Sequence, residues 1–82
     1  MKLPIIRQFY QNQTVENLEK TLEVIELYSE FRGSNDEDLN VAGELITNIC
    51  GALEVHANVA NGMVEKDALN SFAQKVLGSI DK

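Results

Sequence analysis

Cysteine, proline, histidine and tryptophan are close to missing from this chain: it has one Cys, one Pro, one His and no Trp in 82 residues. A lone thiol, Cys50, cannot close an internal disulfide, so no disulfide framework holds the fold and a reducing compartment, the cytoplasm, is the expected address. A lone histidine, His56, is too little for a metal site within one chain. A carboxylate-bridged pair of metals would need Glu-x-x-His on facing helices, and the sequence offers only Glu54-Val55-His56. Basic residues are few as well. Seven Lys and Arg against 13 Asp and Glu leave a net charge of −6. The seven are scattered from Lys2 to Lys82, whereas a phosphate backbone requires clustered cations, so nucleic acid is not an expected partner. Long apolar runs are lacking too: stretches such as Leu3 to Ile6 are a few residues long, and a membrane span needs roughly 20. Pro4 and the polar stretch from Arg7 to Thr14 do not read as the apolar core of a secretory leader, so none is expected here.

Catalytic patterns are absent in the same way. Ser29, Ser34, Ser71 and Ser79 are scattered and none lies in a nucleophile elbow, and there is no glycine-rich phosphate loop. No convergent polar set marks a small-molecule pocket. The expectation is therefore a protein with no enzymatic activity and no cofactor.

What remains is helix. With 44 % hydrophobic and 24 % charged residues the composition is that of a folded helical domain. A chain of this length is one domain, residues 1–82, whose core is thin because only about 60–65 % of its unfolded surface can be buried. The dominant feature is the stretch from Asp36 to Asn61. One row of core-type residues runs Leu39, Ala42, Ile46, Ile49, Leu53, His56, Ala60, Met63; a second runs Val41, Leu45, Asn48, Ala52, Val55, Val59. Steps of three and four define helical seams. Two seams roughly 100° apart on one helix require cover from two sides.

Around this long third helix the spacing predicts three more. A short first helix spans about Pro4 to Tyr10, with proline at its first position. A second begins at the N-cap Thr14 and runs to about Phe31, with Val15, Leu18, Leu22 and Ile25 as its inner stripe. Val24, Leu27, Tyr28 and Phe31 form another apolar side at its end, which calls for a further partner. The third is expected to start in a capping box with Ser34 as cap and Glu37 reaching back. A fourth covers about Val64 to Leu77. Gly33, Gly62 and Gly78 each follow an apolar pattern and are expected as left-handed stops, with Ile80 packing back after the last. The fold class is all-α: a small four-helix domain with a short first helix and a long central third, expected to form a helical homodimer.

Several residues invite two readings. Gly43 and Gly51 inside the third helix each cost about 1 kcal/mol relative to alanine, and either one of them kinks or ends the helix or the close approach of another helix, from the same chain or a second copy, offsets the cost. Glu16, Glu19, Glu23, Glu26 and Glu30 make an acidic stripe that reads either as a solvated face or as a docking strip for a basic partner. His56 is expected to be a structural or interface residue, and Cys50 a buried, inert thiol.

The opening Met1-Lys2-Leu3-Pro4-Ile5-Ile6, the run from Ala42-Gly43-Glu44-Leu45 to Leu53-Glu54-Val55, and the close from Lys66-Asp67-Ala68-Leu69-Asn70 to Gly78-Ser79-Ile80-Asp81-Lys82 are similar to a group of short uncharacterised bacterial proteins. The resemblance covers nearly the whole chain. It implies no catalytic residue, since the group is classed as of unknown function, and it associates the group with thioredoxin- and peroxiredoxin-type neighbours.

These readings combine into a non-enzymatic, self-associating helical module, a homodimer that could also bind another protein. Its expected contact region is Ala42, Gly43, Ile46, Ile49, Cys50, Gly51, Leu53 and His56. The alternative is a thiol-redox accessory protein acting through Cys50.

Overall fold

The computed structural model describes residues 2–33 and 35–80, the last three of these as backbone only. Among them all regular structure is helical: α1 (Leu3–Asn12), α2 (Val15–Glu30), α3 (Asp36–Ala60) and α4 (Glu65–Ile80). Helix α1 has proline in its first turn, where a missing N–H costs nothing. Helix α2 starts as its sequence predicts, with Thr14 Oγ1 accepting the backbone N–H of Asn17 at 3.1 Å.

Helix α3 runs unbroken through both of its glycines. At 25 residues it is about 37 Å long and lies in a molecule whose longest extent is 43 Å. Its start differs from the expected box by one residue. Asn35 is the cap, its Oδ1 accepting the N–H of Asp38 at 2.8 Å, and the Asp38 carboxylate accepts the N–H of Asn35 at 3.4 Å. Asn and Asp satisfy the same reciprocal geometry that Ser and Glu would, so the polar run from 34 to 38 held two overlapping boxes. Ser34 itself lies outside the described residues. The far end of α3 is a Schellman motif: Gly62, at φ 105°, donates to the Val59 carbonyl at 3.0 Å, and Met63 donates to the Asn58 carbonyl at 3.0 Å.

The other two expected glycine stops are corrected. Helix α2 ends before Gly33, at Phe31, which turns extended with φ −66° and ψ 127°. Gly33 is not left-handed; the Phe31 ring lies against it, in the space a Cβ would occupy. Helix α4 continues through Gly78 to Ile80, so Gly78 stops nothing, and the packing of Ile80 lies outside the described side chains.

Helix α3 is the hub. Each of the other helices packs on it and α1 also meets α4, while among the described residues α2 packs on α3 alone. The core joins Ile6 of α1, Leu18 of α2, Ile49, Ala52 and Val55 of α3, and Ala68, Leu69 and Phe72 of α4. Thus α3 is covered from two sides, by α2 on one flank and by α1 with α4 on the other.

Candidate protein interface

The second apolar row of α3 changes character along its length. Ala52 and Val55 are fully buried and Asn48 is 1 % exposed, yet Val41 is 59 % exposed and Leu45 38 %. The cause is the path of the two helices that should cover it. Only Gln13 and Thr14 join α1 to α2, and from that corner the helices diverge without their backbones approaching one another. Between them the N-terminal half of α3 is left as the floor of a groove. Three hollows share Leu45: one of about 330 Å³ beside Val24, Ile25 and Tyr28, one of about 440 Å³ beside Phe9, Leu18 and Ile49, and one of about 560 Å³ beside Ile5, Phe9 and Val41. Asp38, Glu44 and Lys2 supply the charges along it.

The outer end of α2 continues this apolar surface. Leu27 is 69 % and Phe31 68 % exposed, with Val24 and Tyr28 also exposed. Glu26 of the acidic stripe is near enough to Cys50 to help raise the pKa of its thiol.

The residues expected as a contact region do not form one surface. Ala42, Ile49 and Gly51 are buried inside the chain, which corrects their assignment to a contact face. Gly51 is the close approach its composition predicted, made within the chain: a Cβ there would lie 2.8 Å from both Ile6 Cδ1 and Phe72 Cε2. Gly43 and Cys50 are exposed, and a Cβ on Gly43 would meet nothing within 4 Å. Ile46, Leu53 and His56 are half-buried. His56 is structural in position: its Nε2–H donates to the Gln13 carbonyl at 2.9 Å and its ring sits 4.5 Å from that of Tyr10, pinning the α1–α2 corner to α3. A carbonyl only accepts, so the proton is on Nε2.

Cys50 corrects the expectation of a buried thiol. It lies on the α3 flank with Gly43, where the small side chains predicted close packing and the structure leaves solvent. Partial burial of the sulfur, and then the Glu26 carboxylate, hold the thiol pKa above its ordinary value. Access favours thiol chemistry while the scarcity of thiolate opposes it.

Asn48 is the residue that periodicity hides. It stands in an apolar row, yet its Oδ1 accepts the backbone N–H of Lys2 at 3.1 Å and so caps α1, which has no side-chain cap of its own. Its amide also donates to Glu44 Oε1 at 3.5 Å. A polar residue inside an apolar seam is the signal that could have found it.

Among the described residues no three His, Cys, Asp or Glu converge on a metal position, and no helix is long and apolar enough to cross a membrane. Neither curated proteins nor solved structures include a match to this chain. The sequence model of one family, described as a family of unknown function (DUF6952), matches residues 1–81, and the chain belongs to that family.

Proposed function

We propose that this chain is a non-enzymatic helical module that acts by binding a protein surface in the groove between α1 and α2. The observation that carries this is the break in the second row of α3, sealed at Ala52 and Val55 and open at Val41 and Leu45. Apolar surface left in water costs about 25 cal/mol per Å², and an amphipathic helix laid along such a groove removes it. The lining suits a protein better than a polar small molecule. Among the described residues every buried side-chain nitrogen or oxygen already has a hydrogen-bond partner, so no buried donor or acceptor is left to grip a polar ligand. The single cysteine fits action in the cytoplasm.

A photoreactive residue at position 45 of the full chain, expressed in its native host, tests this. The expected result is one discrete protein adduct. Labelling that is absent, or no more selective than from the exposed position of Gln74, would overturn the reading.

A further inference from the structure

We infer that the protein seated in this groove is a second copy of this chain, the exposed end of α2 in each copy covering the open floor of the other. The inference rests on the groove being the working surface, and area supplies the first argument. A compact monomer of 9.1 kDa exposes about 4,900 Å², whereas this chain exposes 5761 Å². The excess, roughly 850 Å² over the whole elongated chain, is of the size of the roughly 800 Å² that each partner contributes to a standard interface. The radius of gyration agrees: it is 13.4 Å, against about 11.7 Å for a compact chain of this length.

Complementarity within the chain supplies the second argument. Leu27 and Phe31 are largely exposed, the Phe31 ring resting only on its own turn at Gly33, and among the described residues the hollows around Leu45 stand open. In a two-fold pair the same patch gives and receives, so one surface with both features is self-complementary. Charge supplies the third. Two chains of net charge −6 repel, but the α2 wall of the groove is formed by Val24, Ile25 and Tyr28, none of which is charged. Along the groove Asp38 and Glu44 are accompanied by Lys2, so both signs are present.

Sedimentation equilibrium of the full chain at micromolar concentration, with Leu45→Glu, Phe31→Ser and Gly43→Ala beside it, tests the pairing. The wild type is expected at twice the monomer mass. Leu45→Glu and Phe31→Ser should each raise the dimer dissociation constant by roughly 30-fold or more with helical circular dichroism retained, and Gly43→Ala, on another flank, should leave it unchanged. Phe31 is exposed, so its variant reads the interface even where Leu45→Glu fails to fold. A dimer indifferent to Phe31→Ser overturns this arrangement. A monomeric wild type that still forms a discrete adduct from position 45 overturns the second copy and spares the groove as a protein site. A monomer with no adduct removes both.

Discussion

Asn48, in the middle of α3, caps the start of α1 by accepting the Lys2 N–H at 3.1 Å. Two helices are thereby locked in register by an amide that is 1 % exposed. Asn48→Ala removes the acceptor and opens a small void, and should cost about 1–3 kcal/mol in urea unfolding. Asn48→Leu fills the space without capping. A leucine variant as stable as wild type would show that packing, and not the cap, is what this position contributes.

Gly43 and Gly51 should respond with opposite signs to the same substitution. Gly43→Ala gains helix propensity in open space and should stabilise the chain by about 0.5–1 kcal/mol. Gly51→Ala gains the same propensity, but its methyl group must displace the Ile6 tip and the Phe72 ring, and overpacking of this kind costs about 1–3 kcal/mol. Urea midpoints for the two variants should therefore fall on either side of wild type. Two shifts in the same direction would contradict the contacts described around Gly51.

Cys50 should react with a thiol reagent in the folded state, because it is exposed, and more slowly than free cysteine at neutral pH, because burial and Glu26 raise its pKa. Glu26→Gln removes one of the two causes and should accelerate the reaction. The linkage sign follows: a thiol whose pKa is raised on folding contributes stability that is intact below the unfolded pKa and is lost as pH rises through the folded one. Stability should decline on the alkaline side of the ordinary thiol value, and Cys50→Ser should flatten that decline. Modification only after unfolding would contradict the exposure.

The helices were legible because their seams repeat every three and four residues, and Thr14 opened α2 and Gly62 closed α3 as expected. What periodicity conveys is the side of a helix on which a residue lies. It does not convey which neighbour arrives to cover that side. Ala42, Ile49 and Gly51 therefore looked like a contact face and are core, while Cys50 looked like core and is exposed. Val41 and Leu45 belong to the same stripe as Ala52 and Val55 and differ from them only because α1 and α2 diverge. Glycine was the least legible residue. Among the described residues only Gly62 takes a positive φ, Gly51 gives room to two side chains, and Gly33 is overlain by Phe31.

Helix α2 is attached along a single seam and anchors just one fully enclosed residue, Leu18. In a free single chain the stretch beyond Ile25 is therefore expected to open before the centre shared by α1, α3 and α4. Its amide protons should trade with solvent through brief local openings, and those near Ala52 and Val55 only when the whole chain unravels. The arm that offers Leu27 and Phe31 to the outside is thus also the part whose amides are expected to exchange first.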